Sequence, residues 1–154
     1  MSSSIPQRHI HPANPSDIES IAHLMADYYR EDGYWFQPDL ARENLNLFVS
    51  NDQLGGILVG ETPGQITGYI IVTFGFSFEY GGRDAFIDEL FVAQDFRGHN
   101  LGRELLDAAI VFCRENSVKV LHLEVEREKE MARQFYARTG FTDHDRFLMT
   151  LDLR

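Results

Sequence analysis

Cysteine is nearly absent from this chain: Cys113 is the only one in 154 residues. An internal disulfide is excluded, and the usage fits a reducing compartment. Cys113 lies in an apolar helical stretch, where a small buried hydrophobe is expected rather than a nucleophile. Positive charge is scarce as well. Lys and Arg number 14 against 24 Asp and Glu, a formal net charge of −10. A nucleic-acid binder would normally carry a basic face, so no nucleic-acid partner is expected. No apolar run approaches membrane-spanning length, and Met1-Ser2-Ser3-Ser4-Ile5-Pro6 lacks the features of a signal peptide. The expectation is a cytoplasmic protein with no membrane partner. There is no Gly-x-x-x-x-Gly-Lys-Ser/Thr loop, which excludes a P-loop NTPase. His9, His11, His23, His122 and His144 show no metal-ligand spacing, and with one cysteine no metal site is expected.

What is present is the composition of a folded domain, 44% hydrophobic and 25% charged. The length suits one domain over residues 1–154, with residues 1–6 a flexible N-terminus. Residues 7–13 read as a first strand. Asn14 or Ser16 can cap a helix that starts near Pro15, carries Ile18, Ile21, Ala22, Met25 and Tyr28 or Tyr29 inward, and stops near Gly33. An unusually aromatic loop, 32–38, leads to a second helix over 39–49. Strands are expected next over 57–61, 66–78 and 84–92, then a helix over 102–116, a strand over 118–125 and a helix over 128–138 closed by Gly140. Two last strands are expected over 141–144 and 147–153. A meander succeeded by strand, helix, strand, helix, strand predicts three layers on a mixed sheet.

The most informative stretch is the strand over 84–92 together with the turn and helix start after it. Asp84-Ala85-Phe86-Ile87-Asp88-Glu89-Leu90-Phe91-Val92 runs through Ala93-Gln94-Asp95-Phe96 into Arg97-Gly98-His99-Asn100-Leu101-Gly102-Arg103. A strand that turns tightly into a helix start offers unsatisfied N–H groups and a positive partial charge, which suit phosphate. The spacing from Arg97 to Gly102 resembles the Arg/Gln-x-x-Gly-x-Gly/Ala signature of the GNAT family of N-acetyltransferases. A second block, Leu123 to Phe141, is similar to that family's strand–helix pattern. It ends Ala132-Arg133-Gln134-Phe135-Tyr136-Ala137-Arg138-Thr139-Gly140-Phe141. Asn100 departs from the pattern by replacing a glycine. Asn is the next-best residue for a left-handed backbone, so the turn can survive. Lys129 departs too, standing where many members carry Asn.

The resemblance implies an α/β fold: three-layer αβα with a mixed, mostly antiparallel central sheet splayed between its two central strands. It implies acetyl-CoA as acyl donor and an amine as acceptor. By the same resemblance Arg97, Gly98, His99, Asn100, Leu101, Gly102 and Arg103 hold the pyrophosphate. The N–H near Leu90 or Phe91 stabilises the charge that develops on the thioester carbonyl, Phe91 and Val92 pair with the pantetheine as another strand would, and Lys129 can reach a cofactor phosphate. Tyr136 takes the place of the family's general acid; a phenol of pKa about 10 can protonate a departing thiolate. The base is left open among Glu89, Glu124 and Asp88. Asp88 and Glu89 are adjacent, so only one can face the acetyl group unless a bulge intervenes. The acceptor site implied includes Glu31, Tyr34, Trp35, Phe36 and Glu79. Acids beside aromatics suit a small cation, although Tyr34, Trp35 and Phe36 can equally pack the loop onto the core. A protein lysine or N-terminus as acceptor, and a non-catalytic acyl-CoA-binding domain, are the competing readings. The resemblance also allows a homodimer.

Overall fold

Asn14 and Gly33 bound the first helix for local chemical reasons. In the structure, a computed structural model that describes residues 7–154, the Asn14 side chain accepts from the Ser16 N–H at 2.9 Å and the Asn14 N–H donates to Asp17 at 2.9 Å. This capping box opens a short 3-10 turn, Pro15–Asp17, that leads into α1, Ile18–Asp32. At the other end Gly33 takes φ 72°, and the Tyr34 N–H donates to the Tyr29 carbonyl at 2.8 Å. That is a Schellman close, which needs a residue tolerant of positive φ. Helix α2, Pro38–Val49, starts on a proline whose missing N–H would have been an orphan anyway. The expectation for residues 1–6 falls outside the described residues.

The chain forms two compact units, one running to Leu123 and one spanning Glu124–Arg154. The first holds a five-stranded sheet in the order β1 His9–Pro12, β2 Gly55–Thr62, β3 Gln65–Ser77, β4 Gly82–Val92 and β5 Leu121–His122. The first three pairings are antiparallel and β4–β5 is parallel. One face carries α1 and α2 on Ile57, Val59, Tyr69, Ile71 and Phe91. The other carries α3, Leu101–Glu115. There α3 lies so close that a Cβ at Gly60 would stand 2.7 Å from Leu101 Cδ1, and Phe112 stacks on Phe74 at 5.6 Å. Cys113 is buried in α3 and burial pushes its thiol up to about 11, as befits a core residue.

Strand β4 contains one residue more than β3 can match. Val72 faces Ile87 and Ile71 faces Glu89, which leaves Asp88 without a partner. Backbone direction shows the consequence. Arg83 and Ala85 bond toward the β5 side, through Lys119 and Val120 respectively, whereas the Ala93 N–H bonds to the Thr67 carbonyl of β3. Odd-numbered residues therefore change sides across Asp88. The side chains change faces with them. Ile87 shares the α3 face with Val72, while Glu89 and Phe91 share the α1 face with Ile71 and Tyr69.

The strand expected over 118–125 is corrected to Leu121–His122. Its parallel ladder holds only at Ala85↔Leu121 and Phe86↔His122, and β4 then continues to Val92 with no β5 partner. A strand exists only as far as a neighbour completes its ladder. The second unit contains α4, Glu130–Ala137. Gly140, at φ 108°, closes it with Phe141 donating to the Tyr136 carbonyl at 3.2 Å and Gly140 to that of Ala137 at 3.0 Å. The two last strands expected over 141–144 and 147–153 do not form among the described residues. The alternation of Phe147, Met149, Leu151 and Leu153 is of strand type, yet all four are at least 80% exposed and no ladder accompanies them.

Candidate active site

Glu89 is the exception to every burial rule in the core. It is 6% exposed, and neither carboxylate oxygen completes a hydrogen bond. The bulge at Asp88 puts it there, on the face lined by Tyr69 and Phe91 rather than on the face of α3. Burial pushes its carboxyl up from 4.5 to about 7, with a smaller contribution from the Asp88 charge. The hydroxyls of Tyr29 and Tyr69 lie beside it and offset part of that rise, although neither reaches full hydrogen-bond geometry and the Tyr69 oxygen is itself unpartnered. Burial, and then the Glu89 charge, push both phenols well above their ordinary value, so both keep their protons and remain donors. Asp88 is exposed. Surrounding chain raises its carboxyl as well, but contact with water screens that effect more than at Glu89.

Aromatic rings extend outward from this carboxyl. Tyr28 lies 5.6 Å from Phe91 and 6.3 Å from Tyr34, and Tyr29 lies 5.4 Å from Phe36. The aromatic loop divides its labour. Phe36 packs against the core, whereas Tyr34 is 47% and Trp35 78% exposed. Glu79 is exposed at the β3–β4 turn. Tyr29 and Tyr69 were not singled out by sequence as site residues. The available signal was one phenol within the aliphatic run of β3, where a buried hydroxyl needs a polar neighbour.

The strand end runs directly into the turn. After Val92 a 3-10 turn, Gln94–Phe96, leads to Arg97, Gly98 at φ 77° and Asn100 at φ 69°, ψ 5°, which is the left-handed N-cap of α3. Amides from Gly98 to Arg103 donate to no other described residue. With the helix dipole behind them they form an anion-binding end. Leu101 is buried against Gly60, so its backbone alone faces the turn. Arg97 donates through Nη2 to both oxygens of Glu31 at 2.8 and 3.0 Å and through Nε to the Val92 carbonyl at 2.8 Å. Its guanidinium also sits 5.2 Å over the Phe91 ring. Glu31 is thus the partner of Arg97 rather than a free acceptor-site acid. Arg103 pairs with Asp107 at 2.9 Å. His99 is exposed. The alternation of backbone direction leaves the Leu90 N–H pointing away from β3, on the side where the β5 ladder has already ended.

The remaining sequence candidates belong to the second unit. Glu124 is exposed, and Lys129 lies 3.7 Å from Glu126 just before α4. Tyr136 sits in the last turn of α4, 5.1 Å from Phe135 and 5.7 Å from Phe141 in edge-on contacts, and burial raises its phenol. The Schellman close at Gly140 sets that geometry.

Known proteins share this fold. An N-acetyltransferase of Archaeoglobus fulgidus, itself described as uncharacterized, is 30% identical over 131 residues, 83% of this chain and 88% of that one. An integron cassette protein from the mobile metagenome of Cole Harbour Salt Marsh, HFX_CASS3, is 30% identical with a TM-score of 0.85 over 94% of this chain and 90% of its own. The aminoglycoside N-acetyltransferase AAC(6')-Iy, solved with CoA, shares the fold at 13% identity and TM-score 0.85, with all of both chains covered. The acetyltransferase (GNAT) family pattern matches residues 18–141, from the start of α1 to the Schellman close after α4. The chain therefore belongs to the GNAT family and is an acetyl-CoA-dependent N-acetyltransferase.

Proposed function

We propose that the protein acetylates a primary amine by direct attack on acetyl-CoA, with Glu89 as the base and a small cationic amine as the acceptor. The observation that carries this is the carboxyl of Glu89, buried, without a hydrogen-bond partner and pushed up to about 7. An alkylammonium titrates near 10.4, so at pH 7 its neutral form is scarce by about 4.6 kcal/mol. A carboxylate that titrates near the working pH takes that proton, directly or through one water. Glu124 and Asp88 are exposed, whereas Glu89 is buried. Acetyl-CoA supplies the acyl group in activated thioester form. The amides from Gly98 to Arg103 hold its phosphates, and Lys129 adds a charge there. The strand from Leu90 to Val92 aligns its arm, as an added strand would. The Leu90 N–H faces the oxygen on which charge develops, and the Tyr136 hydroxyl returns a proton to sulfur.

The acceptor class rests on Tyr34 and Trp35, exposed beside the aromatic cluster, in a chain of net charge −10. A fold relative, AAC(6')-Iy, is solved with the bisubstrate analogue CoA-S-monomethyl-acetylneamine, which supports an amine of this class. The exposure of Trp35 favours a second reading, an open surface that takes a lysine or N-terminus of a protein. Thiol release from acetyl-CoA with separate pools of polyamines, neutral amines and basic peptides decides between them. Turnover with polyamines alone is expected, and equal turnover with neutral amines would sink the cationic reading. Tyr136→Phe is expected to lower kcat by about 10²-fold; an unchanged kcat would remove Tyr136 as the acid. A homodimer that covers Phe147, Met149, Leu151 and Leu153 is the assembly we infer. Light scattering on eluting protein should give twice 17.7 kDa, and a strictly monomeric mass would refute it.

The pH behaviour of Glu89 has a definite sign. Its folded value, about 7, lies above the ordinary 4.5, so the unfolded chain releases the proton first. The stability it contributes is intact below about pH 4.5 and is lost as pH rises through about 7, by up to about 3 kcal/mol. Glu89→Gln should therefore raise Tm at pH 8 but not at pH 4. The same substitution should lower kcat by about 10²–10⁴-fold and abolish the limb near pH 7 in the rate profile. A limb that survives would assign the base elsewhere. At the turn, Asn100→Gly should leave CoA affinity unchanged or improved by calorimetry, whereas Asn100→Val should weaken it about 10-fold through left-handed strain of about 1–2 kcal/mol. A large loss in the glycine variant would mean that the Asn100 side chain itself contacts the cofactor.

A further inference from the structure

Strand β1 lies at the sheet edge remote from β4 and β5, and carries His9 and His11 two residues apart. On a strand that spacing puts both rings on one face, where they stack at 5.1 Å between centroids. His9 faces Glu61 across the ladder to β2, and the His11 Nε2 stands 3.0 Å from Glu61 Oε2. Ligand atoms of all three residues lie within 4.8 Å of one another. The cation just before this strand, Arg8, pairs instead with Glu104 of α3 at 3.7 Å.

The second nitrogen of His11 determines what the first can do. Nδ1 lies 2.9 Å from the Pro12 carbonyl, which can only accept, so Nδ1 carries the hydrogen. In the neutral ring Nε2 then presents a lone pair to a carboxylate oxygen, another acceptor. Something positive has to sit between them, either a proton or a metal ion. A backbone carbonyl that fixes the ring through its far nitrogen is the usual support of a metal-bound histidine. Two donors each about 2.1 Å from one tetrahedral ion stand about 3.4 Å apart, so a small side-chain adjustment from the 3.0 Å His11–Glu61 spacing admits one. Two imidazoles and one carboxylate suit a first-row divalent ion and not Ca²⁺ or Mg²⁺, which prefer all-oxygen sites.

We propose that His9, His11 and Glu61 form a surface site for a zinc-class divalent ion that ties the edge strand β1 to β2. The site does not depend on the acetyl-transfer reading, because it shares no residue with the pocket or the turn. The proposal runs against the expectation of no metal: His9 and His11 share β1, but the third ligand, Glu61, is supplied by a different strand.

The test uses the full chain, free of any histidine tag, stripped with chelator and exchanged into a non-chelating buffer. Titration with ZnCl₂ should give one site by calorimetry and a Tm that climbs with the logarithm of zinc concentration. Co²⁺ should give visible absorption from nitrogen and oxygen ligands. His9→Ala and Glu61→Gln should each weaken zinc binding at least 10-fold, while His144→Ala should leave it unchanged. His9 is exposed, so its variant should keep the apo Tm of the parent. Zinc binding that is unaffected in both variants, or a shift of equal size with Mg²⁺ or Ca²⁺, would overturn the proposal.

Discussion

Strand β4 has to serve two faces of one sheet, and the extra residue at Asp88 lets it do so. Up to Ile87 its inward residues pack under α3 beside Val72; from Glu89 onward they pack under α1 beside Ile71 and Tyr69. Without the bulge, alternation would turn Glu89 toward the α3 layer and Asp88 toward the tyrosines. The switch also turns the Leu90 N–H away from β3, at a depth where β5 has ceased to pair. The buried carboxyl, its neighbouring phenols and the outward amide therefore all depend on one register shift.

The cost of that arrangement falls on Glu89. A core glutamate with two unbonded oxygens is destabilising by the ordinary rules of burial. Tyr29 and Tyr69 reduce the penalty without removing it, since both hold their protons and neither completes a bond. A carboxylate satisfied by full hydrogen bonds would titrate low and make a weak base. The incomplete solvation that destabilises the fold is the same property that suits this residue to accept a proton near neutral pH.

How much of this was legible in the sequence depends on range. Gly33, Asn14 and Gly140 act through their immediate neighbours, and the helix ends they mark fall where the residue types say they should. Asn100 in a left-handed conformation is equally local. The bulge is not, because it is a mismatch between two strands and neither strand alone reveals it. For the same reason the sequence left Asp88 and Glu89 undecided. The strand expected over 118–125 had the right alternation, but its length is set by a ladder to β4 that holds only at Leu121 and His122. The alternation of 147–153 met no partner at all among the described residues. The grouping of His9 and His11 with Glu61 is likewise a product of β1–β2 pairing.

Arg97 links the turn to the rest of the first unit. Its side chain spans three elements: it bonds to the Val92 carbonyl at the end of β4, lies over Phe91, and pairs at two points with Glu31 near the end of α1. Both Arg97 and Glu31 are about 40% exposed, so the pair contributes little to stability. Its consequence is geometric. A guanidinium with Nε and one Nη already engaged is held at a fixed angle, and a phosphate at the start of α3 would meet it through its remaining donors. The loop after α1, which carries Tyr34 and Trp35, begins two residues beyond Glu31. The anion-binding turn and the aromatic loop are therefore joined by one ion pair, and anything that draws Arg97 toward phosphate acts on the position of both.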